Sequence, residues 1–200
     1  MRLGILADIH GRIENLQRAI AILERERVDQ FVLLGDVIDE RSHADETVKM
    51  VKDCGAVGVW GNHELGLCVD VEDEIRELYS RPVVEFFGTL TSHLEFGDVL
   101  FSHTLPHHDA TDPMSYYVGE QALDAGEIDE AFSRCSPRVL MMGHFHRWFA
   151  ATSAGRIAWD GREPLQLDAE LRYLFVIAAV MYGWAAIFDQ EENQLIPIRL

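Results

Sequence analysis

The spacing of apolar residues in the first third of the chain predicts alternating strands and helices. Three short apolar runs predict buried strands: Leu3–Ala7, Phe31–Leu34 and Ala56–Trp60. Four apolar residues at spacings of three and four predict one face of an amphipathic helix: Ile13, Leu16, Ile20 and Leu23. A second helix is predicted at about Ala44–Lys52. This β-α-β-α-β order indicates parallel strands joined by right-handed crossovers.

The pattern changes after residue 60. Val69–Tyr79 is predicted to be helical, and Pro82–Leu90 is ambiguous. His93–Ser102, interrupted by Gly97-Asp98, predicts a β-hairpin. The next segments are a loop rich in Pro, His and Asp and then a helix: Leu105–Tyr117 and Gln121–Cys135. The remaining strand-like runs are Arg138–Met142, Trp148–Thr152, Ile157–Trp159, Arg172–Val180, Trp184–Phe188 and Leu195–Ile198.

Length and composition favour one domain without a membrane span. Two hundred residues with 48% hydrophobic content can build one core, so we expect a single domain over residues 1–200. The most apolar stretch, Tyr173–Phe188, is 16 residues long, which is shorter than the roughly 20 residues that cross a bilayer. The chain shows no charged leader or small-residue cleavage site, and its three cysteines lack C-x-x-C spacing. We therefore expect a cytoplasmic protein.

The strongly acidic charge limits the partners. The chain has 34 acidic and 17 basic residues, and its formal net charge is −17. Nucleic-acid binding depends on Lys and Arg contacts to phosphate, and the sequence contains no basic block. We therefore do not expect nucleic acid as a partner. A small phosphorylated molecule that reaches a local positive site would be repelled less than a long duplex.

Short groups of metal-ligand residues follow the apolar runs. They are Asp8-Ile9-His10, Gly35-Asp36-Val37-Ile38-Asp39, Gly61-Asn62-His63-Glu64, His103 and Gly143-His144-Phe145-His146. Open α/β sheets collect ligands at the carboxyl ends of their strands. Oxygen donors mixed with imidazole nitrogens suit two divalent transition-metal ions, manganese, iron or zinc, better than magnesium or calcium. These residues therefore predict a two-metal site that hydrolyses phosphate esters.

Each group is ambiguous when it is considered alone. Residues i and i+2 of an extended segment point to the same side, so Asp8 and His10 can bind one metal ion. Asp36 could instead cap the following helix, and Asn62 could be an ordinary turn residue. The occurrence of all five groups in one order, each after a predicted strand, favours the metal site.

The ordered motifs D-x-H, G-D-x-x-D, G-N-H-[DE], H and G-H-x-H, spanning residues 8–146, resemble the calcineurin-like metallophosphoesterase superfamily. The resemblance implies an α/β fold, a four-layer α/β/β/α sandwich of two mixed β-sheets flanked by helices. It implies that the first metal ion is bound by Asp8, His10, Asp36 and His146. It implies that the second is bound by Asp36, Asn62, His103 and His144, so that Asp36 is shared.

The resemblance also implies a mechanism. A hydroxide held between the metal ions would attack phosphorus, and His63 would donate a proton to the leaving-group oxygen. Asp39 would orient His63 and keep it charged. Asn62 would also face the substrate. Asp39 could alternatively be a cap or a surface acid.

The chain departs from the superfamily pattern where phosphate is bound. Many members have Arg directly after G-D-x-x-D, whereas this chain has Glu40 and then Arg41. This difference argues against a protein phosphoserine/threonine phosphatase. Arg12 could replace the missing donor to phosphate, although a solvated first-turn arginine explains it equally well. Small bacterial members commonly have a Gly-Ser-rich turn after the last strand, and this chain has Ala178–Gly183 instead.

The expected activity is hydrolysis of a small phosphorylated substrate, either a phosphomonoester or a small phosphodiester. The main alternative is a binding or scaffold module whose metal site has lost activity. A nuclease is disfavoured by the acidic charge. The residues His107, His108 and Asp109 could line the pocket or bind a stray metal ion, but a solvated polar loop is the favoured interpretation. The sequence leaves the natural substrate and the oligomeric state open.

Overall fold

Two mixed six-stranded β-sheets form the centre of the protein. The structure is a computed structural model, and it describes residues 1–39, 41–69, 71, 73–117 and 123–200. The strands of the first sheet, in spatial order, are β3 (Val57–Val59), β2 (Gln30–Leu34), β1 (Arg2–Leu6), β11 (Trp184–Asp189), β12 (Gln194–Arg199) and β9 (Leu165–Gln166). β1, β2 and β3 pair in parallel, which confirms the predicted β-α-β-α-β unit. β11 pairs antiparallel with β1 along the edge of β1 opposite β2.

The second sheet has the same mixed character. Its strands, in spatial order, are β4 (His93–Phe96), β5 (Val99–Ser102), β6 (Val139–Met142), β10 (Tyr173–Val176), β7 (Phe149–Thr152) and β8 (Gly155–Arg156). β5, β6 and β10 run parallel. β4 and β5 form the predicted hairpin, in which Phe96 pairs with Val99 across the Gly97-Asp98 turn.

Helices cover the outer face of each sheet. They are α1 (Ile13–Arg25), α2 (Ala44–Asp53), α3 (Leu65–Cys68), α4 (Asp73–Leu78), α5 (Arg81–Phe87) and α6 (Ala125–Arg134). α1, α2 and α5 pack on the first sheet, and α6 packs on the second. The arrangement is the expected four-layer α/β/β/α sandwich.

Successive side chains of the strands point to opposite faces of each sheet and so form three apolar layers. One layer lies between the two sheets, and one lies between each sheet and its helices. Ile5 of β1 faces the second sheet, whereas its neighbour Leu6 faces the helices α1, α2 and α5. On β5, Phe101 points between the sheets and Leu100 points toward α6. Because successive side chains of a strand point to opposite faces, strands buried on both faces are continuous apolar runs. This explains why the sequence contains such runs immediately before its polar motifs.

Several predicted elements differ in the structure. Of the predicted helix Val69–Tyr79, only Asp73–Leu78 is helical, as α4, because α3 ends at Cys68; Asp70 and Glu72 lie outside the described residues. The ambiguous Pro82–Leu90 segment is largely α5, whose first turn contains Pro82, where the missing N–H costs nothing. The predicted helix Gln121–Cys135 begins at Ala125 as α6, and Gln121 is not described.

The predicted strand Ile157–Trp159 is wrong. The strand in this region is β8, which pairs with β7 before Ile157. The short strand β9 was not predicted, because a two-residue strand is defined by its pairing with β12 and carries no period of its own. The apolar stretch Tyr173–Phe188 forms β10 and β11, as expected. Within the described parts of the chain, the helices are too short or too polar to traverse a bilayer.

Candidate metal centre

The carboxyl ends of five strands carry the candidate metal ligands. Asp8 follows β1, Asp36 follows β2 and Asn62 follows β3. His103 directly follows β5, and the pair His144 and His146 follows β6. The two sheets pack face to face, so their strand ends meet at one edge of the sandwich. The structure therefore brings together all seven residues that the sequence predicted as ligands.

The backbone of these residues is unusual. Five of the candidate ligands have positive φ angles between 48° and 66°: Asp8, His10, Asp36, His144 and His146. Only two other non-glycine residues among those described, Arg27 and Asn193, share this conformation. Positive φ is uncommon outside glycine, and strained residues of this kind concentrate at functional sites. The tight turns after β1, β2 and β6 therefore orient the side chains of the candidate ligands.

The first group of ligand atoms comes from Asp8, His10, Asp36 and His146, whose donor atoms lie within 4.8 Å of one another. His10 Nε2 lies 3.2 Å from His146 Nε2 and 3.6 Å from Asp36 Oδ2. His146 Nε2 lies 3.3 Å from Asp8 Oδ1. Asp8 is fully buried, and it also accepts hydrogen bonds from the backbone amide of His144 at 3.0 and 3.1 Å.

The second group comes from Asp36, His103 and His144, with Asn62 beside it. His103 Nε2 lies 3.3 Å from Asp36 Oδ2 and 3.2 Å from Asn62 Oδ1. The other ring nitrogen of His103 donates to the Leu34 carbonyl at 2.6 Å. His144 Nε2 donates to the Tyr116 carbonyl at 2.7 Å, which leaves the lone pair of the neutral ring on Nδ1. Such outer hydrogen bonds fix the tautomer and orientation of metal-binding imidazoles.

These distances suit metal coordination. Ligand atoms bound about 2.0–2.2 Å from one ion lie roughly 3.0–3.5 Å apart along the edges of its coordination polyhedron. A metal-binding imidazole is neutral, so on metal binding the Nε2 lone pair of His103 would converge with two other acceptors, the Asp36 carboxylate and the Asn62 carbonyl. Converging acceptors repel one another unless a proton or a cation lies among them. The mixed nitrogen and oxygen donor set fits a divalent transition-metal ion.

Electrostatic coupling centres on Asp36, which is 2% exposed. Burial would raise the pKa of Asp36, but the adjacent His103 and His63 outweigh burial and lower it. Burial would conversely lower the pKa of His103, but the carboxylates of Asp36 and Asp8 raise it to about 9. The pKa of His10 is lowered, chiefly by burial. The site therefore holds Asp36 as a carboxylate that attracts positive charge.

Two glycines allow the ligand loops to approach closely. A Cβ atom on Gly61 would lie 2.1 Å from Asp36 Oδ1 and 2.5 Å from the Asp36 backbone nitrogen. Gly35 has a φ of +85°, and a Cβ atom there would lie 2.5 Å from His103 Nδ1. Side chains at these positions would displace Asp36 or His103. The glycines of G-D-x-x-D and G-N-H-E therefore have a steric function.

Glu64 supports the site, although no function was predicted for it from the sequence. Its side chain is fully buried and accepts hydrogen bonds from the backbone amides of Asp36 at 3.0 Å, Ile38 at 3.1 Å and Gly61 at 2.8 Å. Burial and the charge of Asp36 raise the pKa of Glu64. Its carboxylate joins the Asp36 loop to the Gly61 loop. The only sequence signal was the acidic position at the end of G-N-H-E.

His63 and Asp39 lie beside the ligand groups. His63 Nδ1 is 3.2 Å from Asp39 Oδ1, and His63 Nε2 is 4.0 Å from Asp36 Oδ2. The His63 backbone amide donates to Asp36 Oδ1 at 3.1 Å. The side chains of His63 and Asp39 are 34% and 49% exposed, whereas that of Asp36 is 3% exposed. His63 therefore faces the solvent side of the site, where a substrate would enter.

Arg12 lines a small cavity with His10, Asp39 and His43, so the predicted phosphate donor shares this space with one candidate ligand, His10. Glu40 lies outside the described residues, and Arg41 begins a short exposed 3-10 helix. The segment that departs from the superfamily pattern, Ala178–Gly183, folds against the first ligand loop. In it, the Met181 amide donates to the Asp8 carbonyl at 3.2 Å, and the Tyr182 ring lies 5.7 Å from that of His146.

Comparison with known proteins agrees with this geometry. The family model described as calcineurin-like phosphoesterase matches residues 1–148. Protein MJ0912 of Methanocaldococcus jannaschii is 23% identical over 189 residues, which cover 86% of this chain and 73% of that protein. Phosphodiesterase MJ0936 of the same organism is 23% identical over 151 residues, which cover 73% of this chain and 74% of that protein.

A solved structure shares the fold. The metallophosphoesterase from Sphaerobacter thermophilus superposes with a TM-score of 0.79 at 19% identity, covering 100% of this chain and 88% of that chain. The family match contains the whole stretch from Asp8 to His146 in which the ligand motifs occur. The chain therefore belongs to the calcineurin-like phosphoesterase family, whose members depend on metal ions.

Proposed function

We propose that this chain hydrolyses phosphomonoesters or small phosphodiesters with two divalent transition-metal ions, manganese, iron or zinc. The observation that carries the proposal is the position of Asp36 Oδ2, which lies 3.6 Å from His10 Nε2 in one ligand group and 3.3 Å from His103 Nε2 in the other. One carboxylate oxygen thus faces both groups. Family membership supports the same reading.

The proposed ligand sets follow the two groups. Asp8, His10, Asp36 and His146 would hold one ion, and Asp36, Asn62, His103 and His144 would hold the other. When bound, two such ions lower the pKa of coordinated water and neutralise charge on the phosphate oxygens. The intact donor set argues against the binding-module alternative, which predicts missing ligands.

His63 would donate a proton to the leaving-group oxygen. Its Nε2 is on the ring edge opposite Asp39, because Nδ1 is engaged with Asp39 Oδ1 at 3.2 Å. The carboxylate would fix the orientation of the ring. A positioned general acid of this kind contributes about 10²–10⁴-fold to the rate.

Substrate binding would use the space in front of His63. Arg12 would donate to phosphate oxygens from the cavity that it shares with His10 and Asp39. Asn62, the residue before His63 in the chain, would also face the substrate. The strong negative charge of the chain favours small substrates over long nucleic acids. The similarity to a protein named as a phosphodiesterase supports diesters among the substrates.

A cytoplasmic location is also proposed. Cys54, Cys68 and Cys135 are free thiols, as expected in a reducing compartment.

The Asp36→Asn variant tests the shared ligand. Removing the charge that faces both ligand groups should lower Mn²⁺-dependent turnover of p-nitrophenyl phosphate and bis-p-nitrophenyl phosphate by about a hundredfold or more. Asp53→Asn, at an exposed aspartate of α2, is the matched control and should retain full activity. Full activity in Asp36→Asn would overturn the two-metal mechanism. No turnover by the wild-type protein, despite two bound metal ions, would favour the binding module.

The His63→Ala variant tests the general acid. The loss in kcat should be about 10²–10⁴-fold for an alkyl phosphate and clearly smaller for p-nitrophenyl phosphate, whose leaving group needs little protonation. Asp39→Asn should show the same substrate dependence with a smaller loss. Metal content, measured by elemental analysis, should stay at the wild-type level. Equal losses on both esters would contradict proton donation by His63.

The Glu64→Gln variant tests support of the Asp36 loop. An amide cannot accept all three backbone hydrogen bonds, so we expect a loss of about 1–3 kcal/mol in the free energy of unfolding. Mn²⁺ affinity, measured by calorimetry, should fall about 10–100-fold. Glu46→Gln, in the first turn of α2, is the control. Unchanged Mn²⁺ affinity in Glu64→Gln would show that Glu64 does not position Asp36.

A further inference from the structure

A further group of metal-ligand residues shares no member with the two groups of the candidate centre. It joins His107 and His108, in the loop after β5, to Glu127 in the first turn of α6. His107 Nε2 lies 3.1 Å from Glu127 Oε2, and His108 Nε2 lies 3.3 Å from the same oxygen. The sequence pattern favours a solvated loop at these histidines over pocket lining or binding of a stray metal ion. The solvated loop is wrong for His107, whose side chain is 3% exposed.

The geometry has the form of three corners of a coordination polyhedron. The ligand atoms of His107, His108 and Glu127 lie within 4.8 Å of one another. Two of the edges, 3.1 and 3.3 Å, match the roughly 3.3 Å between ligands about 2.0–2.1 Å from a tetrahedral zinc ion. Glu130, one turn along the same face of α6, has an oxygen 4.0 Å from His107 Nε2 and is a fourth carboxylate within reach.

One ring nitrogen of His107 is placed to act as a ligand. Its Nδ1 is buried and finds no hydrogen-bond partner among the described residues, whereas its Nε2 faces the carboxylate of Glu127. A neutral imidazole is the form that binds metal ions, and in His107 it would bind through Nε2. The side chains of His108 and Glu127 are 21% and 29% exposed, which gives an ion a path from solvent.

We propose that His107, His108 and Glu127 bind a further divalent ion, separate from the two of the candidate centre. Two imidazole nitrogens and one carboxylate oxygen form a donor set that favours zinc. Glu130 or water would complete the coordination. The residues come from two elements of the fold, so the ion would fasten the loop to α6.

The consequence for the candidate centre follows from the loop that the ion would fasten. This loop begins after His103, a candidate ligand, and reaches Tyr116, whose carbonyl accepts the hydrogen bond from His144. Holding its middle against α6 limits the motion of both contacts. The ion would therefore have a structural function, and its removal should loosen the loop without removing any ligand of the candidate centre.

The rival explanation is a clamp of hydrogen bonds between the two imidazoles and Glu127, with no ion. The two explanations differ in zinc content. The full-length protein, stripped of metal and dialysed against Zn²⁺, should contain one more equivalent of zinc than Glu127→Gln and one more than His108→Ala. Asp129→Asn, an exposed acid on α6, makes the same charge change without touching the group and should match the wild-type protein.

The experiment does not depend on the proposed two-metal site. The double variant Asp36→Asn/Glu127→Gln should contain one equivalent of zinc less than Asp36→Asn alone, whatever the total zinc content of the two proteins. Zn²⁺ should also raise the melting temperature of the wild-type protein more than that of Glu127→Gln. If Glu127→Gln folds poorly, His108→Ala provides the same comparison of zinc content, because it alters a partly exposed side chain. Equal zinc content in the wild-type protein, Glu127→Gln and His108→Ala would overturn the proposal and leave the clamp.

Discussion

Buried acceptors converge at one edge of the β-sandwich, and their mutual repulsion is the constraint on which the site depends. Asp8 and Asp36 are almost fully buried, and imidazoles surround them at 3.2–3.6 Å from neighbouring ligand atoms. Burying carboxylates is costly unless positive charge or hydrogen bonds compensate. Backbone amides supply part of the compensation, from His144 to Asp8 and from His63 to Asp36. Cations held between the ligand groups would supply the rest.

The sandwich makes this convergence possible because the strands are rigid and the loops after them are short. β1, β2 and β3 run parallel in one sheet, and β5 and β6 run parallel in the other, so polar residues that are distant in sequence meet at one edge. The positive φ angles of the ligand residues are held by this packing. Glu64 contributes by joining the loops that follow β2 and β3.

Much of this arrangement is predictable from the sequence, for a definite physical reason. Apolar runs buried on both faces identify β1 and β2, and a polar motif directly after such a run lies at the sheet edge. The contacts of Glu64 with Asp36, of the Tyr116 carbonyl with His144 and of His107 with Glu127 were not predictable. These partners are 20 or more residues apart, and the contacts depend on how loops pack on one another. The two-residue strand β9 was not predictable for a similar reason, because only its pairing with β12 defines it as a strand.

The most direct measurement is anomalous X-ray scattering from crystals of the Mn²⁺-loaded protein. Two metal ions that share Asp36 should give two anomalous peaks about 3.5–4 Å apart, one beside His10 and His146 and the other beside His103 and His144. A single peak, or peaks that do not flank the Asp36 carboxylate, would contradict a two-metal centre built on that residue.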